Sequence, residues 1–341
     1  MSNTQKKNVP ELRFPGFEGE WEEKKLGEVG TFTSGGTPLK SKSEYWNGDI
    51  PWITTGDIHN IKRENITNFI TEKGLNESSA KLITNEAILI AMYGQGKTRG
   101  MSAILNFEAT TNQACAIYQT NQNINFVFQY FQKLYEFLRS LSNEGSQKNL
   151  SLSLLKEITL NYPNEQEQKK IGDFFSKLDR QIELEEQKLE LLQQQKKGYM
   201  QKIFSQELRF KDENGNDYPD WTNENFKDLF KVVPSKKYQI KSSEIIESGK
   251  IPVVDQGKKL ILGFSNQTDK VYKEFNNVII YGDHTTIIKK MDVPFIIGGD
   301  GVKLLTPISN NNLDYFFSIL QYFNIESEGY KRHFSILKDK N

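Results

Sequence analysis

The sequence predicts an α+β protein: two copies of one mixed α/β unit, each with mixed β-sheets, separated by a long coiled-coil helix. Three observations carry this prediction. First, Glu11-Leu12-Arg13-Phe14, Trp21, Leu26 and Val29 return as Glu207-Leu208-Arg209-Phe210, Trp221, Phe226 and Leu229. Gly48-Asp49-Ile50-Pro51 likewise finds an echo in Gly249-Lys250-Ile251-Pro252, and Gly56 in Gly257. The offset of about 200 residues is too long for a solenoid repeat and marks a duplicated domain. Second, a heptad stripe runs through the segment between the copies. Third, both copies carry short β-type runs joined by Gly-rich turns and closed by an amphipathic helix.

The elements follow in order. In copy one, strands are expected at Ile50–Thr54, Ala87–Met92, Gly100–Leu105 and Gln113–Tyr118. Ser34-Gly35-Gly36-Thr37-Pro38 is a loop by its turn chemistry. Apolar residues from Phe126 to Leu141 recur every three or four, which predicts one helix over Asn125–Leu141. A strand at Ile158–Asn161 then ends at Pro163. From Asn164 to about Gln206 comes the long helix. Phe175, Ile182, Leu189, Lys196 and Ile203 occupy heptad a, and Ile171, Leu178, Glu185, Leu192 and Tyr199 occupy d. The apolar members of that stripe (Ile171, Phe175, Leu178, Ile182, Leu189, Leu192, Tyr199, Ile203) form a candidate helix–helix interface, with Glu185 and Lys196 as polar interruptions that fix register. About 40 residues of helix give a rod of roughly 60 Å. Copy two repeats the grammar, with strands at Ile251–Val254, Asn277–Tyr281 and Pro294–Ile297, a turn at Gly298-Gly299-Asp300-Gly301, and a helix over Asn312–Phe323. The expected boundaries are therefore 1–163 for the first domain, 164–206 for the helical spacer and 207–341 for the second domain.

Composition narrows the function classes. The 341 residues are 36% hydrophobic and 26% charged, so each copy has enough apolar residues to bury its own core. Lys plus Arg number 44 and Asp plus Glu 44, a balance that argues against a polycationic coat on nucleic acid but leaves room for local basic faces. A lone cysteine, Cys115, excludes an internal disulfide framework and fits a reducing compartment, with the cytoplasm as the expected location. No apolar run reaches the ~18 residues of a membrane span.

Catalytic motifs are sparse. Gly94-Gln95-Gly96-Lys97-Thr98 contains the end of a phosphate-binding loop, but Ala91 stands where that pattern needs its first glycine. The three histidines, His59, His284 and His333, are scattered, so a metal site of the common kinds is not expected. No Gly-x-Ser-x-Gly elbow is present. The chain reads as a binder, with a nucleotide-dependent enzyme built on Gly96-Lys97-Thr98 as a weaker alternative.

Loops at matched places in both copies mix basic, amide and aromatic side chains, the types that address phosphates and base edges. In copy one these are Tyr93, Gln95, Lys97, Thr98 and Arg99, then Gln147, Lys148 and Asn149. In copy two they are His284, Thr285, Lys289 and Lys290, then Tyr330, Lys331, Arg332 and His333. All are candidate DNA contacts.

The whole chain resembles the specificity subunit of type I restriction–modification enzymes. The marks are the Glu-Leu-Arg-Phe…Trp opening before each copy, the stretch Gly48 to Ile58 with its Ile50-Pro51-Trp52-Ile53 core and Gly56-Asp57-Ile58 end, and Asn164-Glu165-Gln166-Glu167-Gln168-Lys169-Lys170-Ile171. The last resembles the Glu-Gln-x-x-Ile start of the family's conserved helix. The resemblance implies two target recognition domains, each reading half of a split double-stranded DNA site, with the helix as a ruler for the unread gap. A ~60 Å rod exceeds one ~34 Å turn of duplex. It also implies partners: modification (methyltransferase) subunits, two of them, and restriction (motor-nuclease) subunits. S-adenosylmethionine, ATP and Mg are then expected on those partners and no cofactor on this chain. One departure stands out. Family members carry a second conserved helix after the second recognition domain, whereas here Leu337 is followed by Lys338-Asp339-Lys340-Asn341. The stripe is accordingly expected to be covered by another copy's helix or by a modification subunit, and a truncated assembly scaffold stands as a further alternative.

Overall fold

The computed structural model describes residues 8–94, 97–141, 149–308, 312–323 and 333–334. The chain divides into two units, Met1–Gln187 and Lys188–Asn341, each described here by itself.

In the first unit the strands are β1 (Glu22–Lys25), β2 (Gly30–Ser34), β3 (Trp46–Ile53), β4 (Phe69–Ile70), β5 (Ala87–Ala91), β6 (Ser102–Leu105), β7 (Thr110–Thr111), β8 (Cys115–Thr120) and β9 (Thr159–Tyr162). Its helices are α1 (Glu72–Asn76), α2 (Ile124–Lys133), α3 (Tyr135–Ser140), α4 (Leu152–Lys156) and the start of α5 (Glu165–Phe204). The main sheet is antiparallel in the order β2-β8-β5-β6. Beside it lies a mixed three-stranded sheet, β4-β3-β7, in which β3 and β7 run parallel. β1 pairs with β9 alone.

The period of two along β5 and β8 builds two cores. Ile88, Ile90, Ala116 and Tyr118 face Phe32, Phe126 and Phe131 on one side of the sheet. Leu89, Ala91, Cys115 and Ile117 face Ile53, Ile58 and Leu105 on the other. Both faces are covered, so β5 reads as an unbroken apolar run rather than an alternation.

Two elements differ from expectation. The helix expected over Asn125–Leu141 breaks at Leu134 (φ −83°, ψ 0°). The break turns Leu138 into the core while Tyr135 and Arg139 lie over the loop after β5. The strand expected at Pro294–Ile297 shortens to Ile296–Ile297, because Pro294 has no N–H to give and Phe295 instead pairs with Tyr272.

The second unit contains α6 (Phe226–Leu229), β10 (Phe230–Val233), β11 (Ile251–Val254), β12 (Gly263–Ser265), β13 (Ile279–Gly282), β14 (Ile288–Lys289), β15 (Ile296–Ile297), β16 (Val302–Pro307) and α7 (Leu313–Phe323). Its main sheet runs β10-β16-β13-β14 and its small sheet β12-β11-β15, again with a parallel pair, β11 and β15. Strand for strand these two sheets repeat the order of the two larger sheets of the first unit. The two cores recur as well. Ile279, Tyr281 and Leu305 pack on Phe316 and Leu320 of α7, while Ile280, Leu304 and Val302 face Val254 and Ile297.

The long helix forms where the heptad pattern places it. Asn164 caps it, its side chain accepting from the Glu167 N–H at 2.9 Å. Glu167, fully buried, accepts from Arg13 Nε at 2.7 Å and Arg13 Nη2 at 2.6 Å, a bidentate pair. Gln168 donates to Gln122 and to the Pro163 carbonyl, both at 2.9 Å. A Cβ at Gly172 would lie 2.6 Å from Asn123 Oδ1, so only glycine lets α5 approach the start of α2 this closely.

Candidate nucleic-acid interface

The geometry begins at the C-terminal end of β5. Gly100 N donates to Ala91 O at 2.9 Å and closes the loop between β5 and β6. Gly94 takes φ +149° and Gly100 φ +83°, backbone shapes that side-chain-bearing residues rarely adopt. Tyr93 and Lys97 are exposed, while Thr98 and Arg99 are half-buried. Two contacts from α3 hold the loop: the Tyr135 hydroxyl donates to Lys97 O, and the Arg99 guanidinium donates to Arg139 O. Arg99 is therefore partly a structural residue, and Lys97 is the cation the loop presents outward. Gln95 lies outside the described residues.

The second candidate segment of copy one returns to the same place. Met92 O accepts from Leu150 N at 3.1 Å, which sets half-buried Asn149 beside the β5–β6 loop. Gln147 and Lys148 lie outside the described residues. Copy two repeats the arrangement, with Asp283 O accepting from His333 N at 2.8 Å. In each unit, then, a residue far along the sequence is hydrogen-bonded to the segment that follows β5 or β13 at one end of the main sheet.

The copy-two loop is built inward, and three expectations change. Lys289 is buried: its Nζ donates to Asp255 O at 2.8 Å and to Lys259 O at 2.5 Å, and stands 3.2 Å from Asp255 Oδ1. It is a structural cation, because residue 289 falls on the core-facing side of β14. His333 is also buried, its Nδ1 3.1 Å from Asp283 O, and does not face solvent. Lys290 is half-buried and paired with Asp314 of α7. His284 and Thr285 are half-buried, and the Thr285 hydroxyl donates to Gln256 O at 2.6 Å. Tyr330, Lys331 and Arg332 lie outside the described residues.

Sequence reasoning missed the hub of this site, Gln256. Its side-chain oxygen accepts from His284 N at 3.2 Å and its carbonyl holds Thr285, so the loop after β11 braces the loop after β13. The equivalent loop of copy one follows β3 and carries exposed His59, with Asn112 N bonded to Ile53 O and Met92 N to Ala114 O. The matched Gly56 and Gly257 were the available signal for these loops.

Chemically the site offers an exposed cation, a tyrosine, amides and hydroxyls at a sheet end. Cys115 is buried, and burial pushes its thiol up to about 12. Among the described residues no group of three His, Cys, Asp or Glu is placed to hold a metal, and no helix is long and apolar enough to cross a membrane. Side chains of these types can donate hydrogen bonds to phosphates and base edges.

A family model for the type I restriction modification DNA specificity domain matches residues 18–194, just over half of the chain. The chain belongs to that family. It is 27% identical over 290 residues to the type I restriction enzyme MjaIX specificity subunit of Methanocaldococcus jannaschii, covering 80% of this chain and 66% of that protein. It is 33% identical over 168 residues to the EcoR124I/EcoR124II specificity subunit of Escherichia coli, covering 48% of this chain and 42% of that protein. The chain thus spans two thirds or less of these relatives' lengths. The fold is that of the crystal structure of a type I restriction–modification S subunit from M. genitalium, with TM-score 0.62 and 17% identity over 92% of this chain and 80% of that one. The match across residues 18–194 takes in the whole β2-to-β9 scaffold that carries the copy-one loops of this specificity-domain protein.

Proposed function

We propose that this chain is the DNA-reading subunit of a type I restriction–modification complex, with each unit reading one half of a bipartite double-stranded site. The observation that carries the reading is the twice-used scaffold: the same order in the two larger sheets of each unit, each tying a distant segment to the end of its main sheet. The 40 residues of α5, about 60 Å at the helical rise, act as the spacer that sets the gap. The chain performs no catalysis itself. Modification subunits, two per complex, supply S-adenosylmethionine-dependent adenine methylation, and restriction subunits supply ATP- and Mg-dependent cleavage.

The test is methylome sequencing of cells that carry this chain with its partner subunits. A bipartite methylated-adenine motif that disappears when the chain is deleted is the expected result. Methylation unchanged on deletion sinks the reading. A second reading, an assembly scaffold, draws on the exposed stripe of α5; partner copurification without sequence-dependent methylation favours it.

A further inference from the structure

The turn between β13 and β14 closes in the same way as the loop between β5 and β6. In the first unit Gly100 N donates to Ala91 O, and Ala91 N to Met101 O, each at 2.9 Å. In the second unit Thr286 N donates to Gly282 O, and Gly282 N to Ile287 O, each at 2.8 Å. One step further along each pair of strands, Ile90 pairs with Ser102 and Tyr281 with Ile288. Thr286 therefore stands where the first unit has Gly100. Both take a positive φ, +83° at Gly100 and +59° at Thr286.

The two residue types differ in how easily they reach that conformation. Glycine enters the left-handed region freely, whereas a branched Cβ crowds the backbone there. The side-chain-bearing residues with positive φ among the described ones are Asn47, Gln206 and Thr286, and of these only Thr286 is β-branched. Such a conformation persists where its surroundings over-determine it. Gln256, in the loop after β11, supplies the constraint. Its side-chain oxygen accepts from His284 N at 3.2 Å, and its carbonyl accepts from the Thr285 hydroxyl at 2.6 Å. His284 and Thr285 are thus tied across to another loop, but Thr286 is bonded only to its neighbour. Its hydroxyl donates to the Thr285 carbonyl at 2.6 Å, and the residue is half-buried. With the hydroxyl proton committed, the oxygen keeps lone pairs with which to accept. A turn that needed only its shape would take glycine, as the first unit does.

We propose that Thr286 is a specificity-determining residue of the second unit, its Oγ1 accepting from the exocyclic amino group of an adenine or cytosine in the major groove. This rests on the proposed reading of DNA by each unit. Gln256 holds the turn, and the strained threonine presents the oxygen that glycine would lack.

Three variants of the full-length chain, each assembled with its partner subunits, test this. Thr286→Gly removes the oxygen and the strain together. The urea midpoint of the second unit, followed by hydrogen exchange along β13 and β16, is expected to hold or rise. Methylome sequencing is expected to show one base pair relaxed in one half of the bipartite motif. Methylation of sites with another base there rises about tenfold relative to cognate sites. An A·T pair at that position assigns the amino group to adenine, and a G·C pair assigns it to cytosine. Thr286→Val keeps the shape without the oxygen and should relax the same base pair. Thr286→Ser keeps the oxygen and should keep the motif. A lower midpoint for Thr286→Gly would show that the threonine serves the fold, and overturns the proposal. So does an intact motif with Thr286→Gly or Thr286→Val, or a relaxed one with Thr286→Ser. Failure of the wild-type chain to direct any bipartite methylation is a different result: it sinks the DNA-reading function itself, and this proposal with it.

Discussion

Lysines 97 and 289 show how far residue type alone carries. Both sit in the matched candidate loops, yet one is exposed and the other nearly sealed between Asp255 and Lys259. Nothing in the sequence separates them. β14 has only two residues, too few for an alternation to reveal which side is buried. Lys97→Ala is expected to leave stability within about 0.5 kcal/mol, lower DNA affinity across sequences, and reduce the slope of log affinity against log salt by about one. Fluorescence anisotropy at several salt concentrations checks this; an unchanged slope removes Lys97 from the interface. Lys289→Met is expected to do the reverse. It strands a partly buried carboxylate at Asp255 and costs about 2–3 kcal/mol, visible as a lower urea midpoint, and an unchanged midpoint would return Lys289 to the surface. Asn149 and Tyr93 were legible as exposed or half-exposed polar positions, whereas Gln256 was not, because its contacts arise from a sheet order that no local pattern records.

Among elements, the heptad helix was the most legible, since its period persists over many turns and its cap is Asn164 beside Pro163. The break at Leu134 was hidden, because apolar residues continue at helical spacing through it. The start of α5 explains one part of the repeated Glu-Leu-Arg-Phe motif. Arg13 reaches Glu167 on α5 and also the carbonyls of Glu18 and Gly19. Arg209 reaches the carbonyls of Tyr218 and Pro219 and exposed Asp220, with no buried carboxylate among its described contacts. The same motif thus folds the same small turn in both places, but only in copy one does it also pin a helix. Arg13→Ala should therefore lower the urea midpoint of the first unit, because Glu167 is left buried without its bidentate partner. Arg209→Ala should move the midpoint of the second unit less. Equal shifts in a domain-resolved hydrogen-exchange measurement would show that Glu167 does not depend on Arg13.

For the whole molecule, the repeat visible in a few residues becomes an identity of strand order across both units. The residue echoes between the copies thin out beyond Gly56 and Gly257, since loops of different length carry the chain between equivalent strands. Sheet order persists because it is fixed by which apolar faces must be covered. The division of labour can then be tested one unit at a time. If each unit reads its own half-site, as proposed, damage to the β5–β6 loop should be felt only through the half-site of the first unit. Replacing Tyr93, Lys97, Thr98 and Arg99 by Gly or Ser alters side chains that lie outside both cores. In the assembled complex, methylome sequencing should then show one half of the bipartite motif relaxed, with the other half and the gap between them intact. Relaxation of both halves together would mean that the units do not read separately. A changed gap with both halves retained would mean that this loop sets spacing rather than sequence, the task proposed for α5.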